Sequence, residues 1–144
     1  MFQFLGVEGL GTLDLGIARL EKIVMLARVE ALKAAGEVLK EEWKAKVEER
    51  FPRGTTNMWG YVRTGAYHDS IEISDIVPIP TMRGEVVGVE VGTDLKYPFY
   101  LEYGTRTMKD AYPTMTPAFE NKKFEAIAEA GVVFREMIEI EYLK

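Results

Sequence analysis

From Leu13 to Trp43 apolar side chains return every three or four residues: Leu13, Ile17, Leu20, Val24, Ala27, Ala31, Ala34, Val38 and Trp43. That spacing places them on one face of a helix. Arg19, Glu21, Lys22, Arg28, Glu30, Lys33 and Glu37 fall largely off the stripe. Thr12 suits the N-cap, and Phe51-Pro52 closes the segment, because a residue before proline avoids the helical region. The pattern therefore predicts a helix over 12–50, roughly 58 Å long if continuous. A compact fold of this size has a radius of gyration of only about 15 Å. Either the helix breaks, near Gly36, and folds back, or it projects and touches something else. Before it, Phe2, Phe4 and Val7 suit a short strand ahead of the Gly9-Leu10-Gly11 turn.

Downstream the period shortens to two. Ile71 and Ile73 alternate with Glu72 and Ser74, and Val87, Val89 and Val91 alternate with Gly88, Glu90 and Gly92. Both read as strands with one apolar face, joined across the Thr81–Gly84 turn. Pro78 and Pro80 end the first strand or place its end at an edge. The aromatic run Tyr97-Pro98-Phe99-Tyr100-Leu101-Glu102-Tyr103 reads as a third strand that fills the core, with Gly104 taking a positive φ at the turn. Thr64–Ser70 forms a turn or short helix. A last helix opens at Thr116-Pro117, with Thr116 as N-cap and Pro117 as first residue. Phe124, Ile127, Gly131, Phe134 and Ile138 mark its inner face, Gly131 permitting close packing on the sheet. Glu125, Glu129, Glu136 and Glu139 form a solvated face. The whole is an α+β fold: a small antiparallel sheet of about three to four strands packed against a long N-terminal helix and a C-terminal helix.

Composition narrows the picture. A chain of 144 residues with 47% hydrophobic and 28% charged side chains suits one globular unit, 1–144. Its formal charge of −5 disfavours generic binding to nucleic-acid backbones, yet is compatible with lining a channel through which DNA slides. With no cysteine there is no disulfide, thiolate nucleophile or thiolate metal site. No apolar run approaches the roughly 20 residues of a membrane span, and no basic leader precedes an apolar segment.

Candidate chemistry is sparse. The glycines at 6, 9 and 11 lack the Lys-Ser or Lys-Thr of a phosphate loop. His68-Asp69-Ser70 holds the residue types of a hydrolase triad, but three consecutive side chains fan apart and cannot share one line. The single histidine with one Asp is too few for a metal site, and Glu41-Glu42 and Glu48-Glu49 diverge on a helix. Neither a catalytic residue, a cofactor nor a metal is expected. Surface contacts are the alternative. Met58 and Trp59, in the Pro52–Gly60 loop, are either an interface finger or a pin onto their own core. The Arg106–Tyr112 loop, with Arg106, Met108, Lys109 and Tyr112, is a second candidate contact. Trp59, Tyr61, Arg63 and Tyr67 offer an aromatic-basic platform for nucleic acid.

Two motifs carry a family resemblance. Tyr97-x-x-Tyr100-Leu101-Glu102-Tyr103-Gly104-Thr105, then Pro113-x-x-x-Pro117-Ala118, resembles the neck, head–tail joining and tail-completion proteins of long-tailed bacteriophages. Thr114-Met115 stands where that family usually has Phe-Leu. Upstream, Thr64-Gly65-Ala66-Tyr67-His68-Asp69-Ser70-Ile71 is similar to the family's Thr-Gly-x-Leu-x-x-Ser-Ile, with Ala66-Tyr67 in place of the commoner Leu-Arg. The resemblance implies a structural virion protein of the head-to-tail junction, assembled in the host cytoplasm. Its partners would be its own copies in a ring, other neck, head or tail proteins, and DNA passing without sequence-specific binding.

Overall fold

The structure, a computed structural model, describes residues 6–57, 60–108 and 110–142. Helix α1 (Gly6–Arg50) runs unbroken for 45 residues, roughly 67 Å at 1.5 Å per residue. It starts before Thr12, so Val7 is helical rather than extended and Gly9-Leu10-Gly11 is not a turn. Phe2 and Phe4 lie outside the described residues. Nor does the helix break at Gly36. A Cβ there would meet Ile73 Cδ1 at 3.2 Å and Val89 Cγ2 at 3.3 Å, so the glycine is a notch into which the β-hairpin seats.

That hairpin contains strands β1 (Glu72–Ile73), β2 (Val77–Thr81), β3 (Gly84–Gly88) and β4 (Val91–Gly92). They form two antiparallel pairs, β1 with β4 and β2 with β3. Ile73 opposes Val91, and Val77 opposes Gly88. Between those pairings Ser74, Asp75 and Ile76 face only Val89 and Glu90, so one surplus residue bulges and divides the ladder. Pro78 and Pro80 lie inside β2 instead of ending it. A two-stranded ladder leaves β2 an outer edge where the missing N–H groups are tolerated.

The aromatic run is not a third strand. Residues Tyr97–Tyr103 form a helix, α3, with Pro98 at its start. Pro98 presets a helical φ, and Phe99 meets Tyr103 one turn on, ring centroids 5.0 Å apart. Pro98 and Glu102 face inward, while Tyr97, Phe99, Tyr100 and Tyr103 are exposed. β-propensity misleads here because short apolar runs do not separate strand from helix.

Helix α4 (Met115–Tyr142) returns antiparallel along α1. Phe119 meets Trp43 edge to face at 6.3 Å, and further on Ala130 and Phe134 share a cavity with Arg28, Ala31 and Leu32. The helices meet through small residues, with Ala27, Ala31, Ala118 and Ala126 all buried. Large apolar residues predicted to face inward instead point outward: Ile17, Leu20 and Val24 on α1, Phe124 and Ile127 on α4. Gly131 is exposed with nothing near it, so the predicted close approach does not occur there. The main core lies at the other end: Trp43, Val47, Tyr67, Ile71 and Ala118, with Phe51, Val91, Leu101, Met115 and Phe119 packed around them.

Candidate functional site

Both sequence motifs converge on that core. Glu102, only 6% exposed, turns its carboxylate onto the start of α4. Oε2 accepts from the backbone N–H of Thr114 (2.8 Å) and Met115 (3.0 Å), and Oε1 from that of Thr116 (2.7 Å). These are donors a helix start leaves without partners, and a carboxylate there also opposes the positive end of the helix dipole. The cap therefore comes from α3, not from Thr116, and Pro117 sits in the third helical position. Burial pushes the Glu102 carboxyl up, but the Thr116 side chain and the three backbone donors together bring it below the usual carboxylate range.

Gly104 then turns the chain at φ 77°, and the N–H of Tyr112 donates to the Leu101 carbonyl at 2.6 Å, folding the loop back onto α3. Next to the cap lies a closed polar triangle. Trp43 Nε1 donates to Thr114 Oγ1 (3.1 Å) and Tyr67 Oη (3.3 Å), and Tyr67 Oη lies 3.0 Å from Thr114 Oγ1. It joins α1, helix α2 (Ala66–Asp69) and the start of α4. Burial holds the Tyr67 phenol above its usual range. Among the described residues, no buried side-chain nitrogen or oxygen lacks a partner.

The upstream motif builds the adjoining surface. Thr64 Oγ1 accepts from the Ala66 N–H (3.3 Å), and Ser70 Oγ donates to the Tyr67 carbonyl (2.8 Å) and meets Thr93 Oγ1 (2.6 Å). Gly65, at φ 83°, lies directly under the Arg53 guanidinium: a Cβ would fall 2.5 Å from its atoms. Arg53 Nη2 in turn donates to both Asp69 oxygens, at 2.8 and 3.0 Å. The hydrogen bond from His68, then Arg53, lowers the Asp69 carboxyl. Above this framework opens an apolar cleft of about 270 Å³ lined by Val47, Phe51, Val62, Tyr67, Tyr97 and Leu101.

The interaction candidates are scattered. Arg63 is drawn inward, its guanidinium 5.4 Å over the Phe51 ring and bonded to Thr55 Oγ1 at 2.8 Å. Tyr112 lies under Arg50 at 5.2 Å, and the Met108 N–H donates to Thr105 Oγ1. Arg106 is exposed. Met58, Trp59 and Lys109 lie outside the described residues. Pro113 and Pro117 line a shallow hollow beside Arg50, and Ala118 is fully buried. Tyr97 packs edge to face on Tyr67.

The aromatic-basic grouping and the His68-Asp69-Ser70 triplet are only partly brought together. Of the aromatic-basic set, Tyr67 is 5% exposed and Arg63 is engaged with Phe51 and Thr55, whereas Tyr61 is open to solvent and Trp59 lies outside the described residues. Ser70 turns to Thr93, away from His68, whose Nδ1 instead meets Asp69 Oδ1 at 3.0 Å. Sequence reasoning did not foresee the roles of Trp43, Arg53 and Thr114. The spacing from Glu102 to the start of the last helix was the available signal, obscured by reading α3 as a strand.

Residues 17–104 match the family model described as "Bacteriophage HK97-gp10, putative tail-component". The chain belongs to the HK97-gp10-like family. The matched stretch holds the Thr64–Ile71 motif and ends at Gly104, taking in Glu102 but not the helix it caps. No curated protein and no solved structure matches the chain. Among the described residues, no helix is long and apolar enough to cross a membrane.

Proposed function

We propose that this phage tail component acts at the head-to-tail junction, as a tail-completion, terminator or connector subunit. It closes into a ring of its own copies around the DNA channel and joins adjoining neck, head or tail proteins. The observation that carries this reading is the exposed apolar surface. Ile17, Leu20, Val24 and Met25 on α1 and Phe124 and Ile127 on α4 lie open, far more than solubility favours. With Ile76 and Val87 the α1 residues line a groove of about 510 Å³. A ring requires heterologous contacts, one patch meeting a different patch on the next copy. The Met58-Trp59 loop and the Arg106–Tyr112 loop supply further patches, Arg106 and Lys109 meeting carboxylates of a neighbour.

The test is whether the protein is present in purified virions, with native mass spectrometry and negative-stain microscopy of the isolated chain and of its mixtures with neck proteins. Closed rings or partner-dependent assemblies are expected. A chain missing from virions and monomeric in every mixture would refute the reading. Charge reversal at Arg106 and Lys109 together should impair joining while leaving the thermal midpoint of the monomer unchanged.

A further inference from the structure

On α1, Arg19, Lys22 and Leu26 recur at steps of three and four residues, outside the buried line of Ile23, Ala27 and Ala31. On α4, Glu129, Val132, Glu136 and Glu139 recur at steps of three, four and three, with Ile140 alongside. All are exposed, Leu26 to 44%. Each is one helix face on which charges surround a few exposed apolar residues, Leu26 on α1 and Val132 and Ile140 on α4. Both faces lie toward the end of the helix pair where Ala130 and Phe134 meet Arg28, Ala31 and Leu32.

Some charges on these helices are matched locally, whereas Glu21, Arg28, Glu41, Lys44 and Arg135, like those of the two faces, form no ion pair with another described residue. Glu30–Lys33, Glu37–Lys40, Lys46–Glu49, Glu120–Lys123 and Lys122–Glu125 are matched three residues apart. Arg19, Lys22, Glu129, Glu136 and Glu139 form no ion pair with another described residue. One face is basic and the other acidic. A nucleic acid or an anionic lipid surface would suit the first and be repelled by the second. A partner offering both signs satisfies both, and this chain offers both.

We infer that the two faces pair between copies: the Arg19–Lys22–Leu26 face of one chain packs on the Glu129–Val132–Glu136–Glu139 face of another. The antiparallel register set by Trp43 on Phe119 and by Arg28 and Ala31 beside Ala130 and Phe134 puts Glu136 and Glu139 level with Leu26 and Lys22, so a copy turned about an axis running along the helices brings that part of the two faces together. The inference rests on the assembly role proposed above and names the surfaces that meet.

The experiment compares four full-length chains by native mass spectrometry and sedimentation velocity at low and physiological salt: wild type, R19E/K22E, E129K/E136K/E139K, and the chain carrying all five substitutions. Each partial reversal should weaken self-association roughly tenfold or more, most strongly at low salt, and the full swap should restore it. Since all five positions are exposed, circular dichroism melts should coincide and separate this result from misfolding. Wild-type chains that stay monomeric, or associate equally in all four forms, overturn the pairing. So does a loss in R19E/K22E confined to DNA or vesicle binding. Each variant's incorporation into virions is scored separately. A protein found in virions without the predicted pattern removes the pairing and leaves the tail role standing, whereas absence of the wild type removes the role itself.

Discussion

The two ends of the α1–α4 pair solve opposite problems. Where α1 finishes, Trp43, Tyr67, Thr114 and Glu102 are buried, and each polar atom has its partner. Toward the start of α1 the helices touch through alanines, and the large apolar side chains and unmatched charges face outward. One end holds a fully partnered buried core, though α3 still turns aromatic rings to solvent there; the other buries chiefly small residues. Stability should therefore be concentrated at the closed end, and association at the open one.

The widest separation should come from the aromatic hub. Trp43→Ala removes the largest core side chain and the donor shared by Tyr67 and Thr114, at a cost of about 3–5 kcal/mol in denaturant unfolding. Phe124→Ala, at a residue 75% exposed, should stay within about 0.5 kcal/mol. Equal losses at the two sites would collapse the distinction.

Next is the cap. Glu102→Gln keeps the shape but forfeits the charge that serves three backbone donors, for a loss of about 1–3 kcal/mol. The sign of the pH dependence follows from the depressed carboxyl. Its contribution is complete above the ordinary carboxylate range, near pH 4.3, and fades as pH falls through the lower folded value. Melting curves between pH 7 and pH 3 should show a steeper acid loss for the wild type than for E102Q. Parallel curves would show that the charge is not what caps α4.

At the closed end the smallest effect expected is at Gly65. Gly65→Ala strains a positive φ by about 1–2 kcal/mol and displaces Arg53 from Asp69. An unchanged thermal midpoint would show that the Arg53–Asp69 contact contributes nothing to holding the arm from Pro52 to Gly65.

Much of this was legible along the chain. The three-and-four spacing of α1 reported a local period that folding kept, whereas the alternation from Val87 to Val91 marked the hairpin but is interrupted at Val89 and Glu90, which lie in no strand. The Thr64–Ile71 and Tyr97–Ala118 motifs were visible as strings, but not what joined them. Glu102 reads as one more charge until α3 is helical and the start of α4, thirteen residues on in sequence, is hydrogen-bonded to it. Between a break near Gly36 and a continuous projecting helix the sequence does not choose, since intrinsic propensity penalises glycine in a helix while packing against Ile73 and Val89 requires it.

The sequence alone determined a long N-terminal and a C-terminal helix with a small antiparallel sheet between them, though not that Tyr97–Tyr103 is helical, since hydrophobic period is a property of neighbouring residues. It also carried the family's motifs. Which apolar faces were covered was decided only by the tertiary structure, because a single stripe does not say what it packs against. Alanines brought α1 and α4 together, and their larger neighbours were thereby turned out toward solvent.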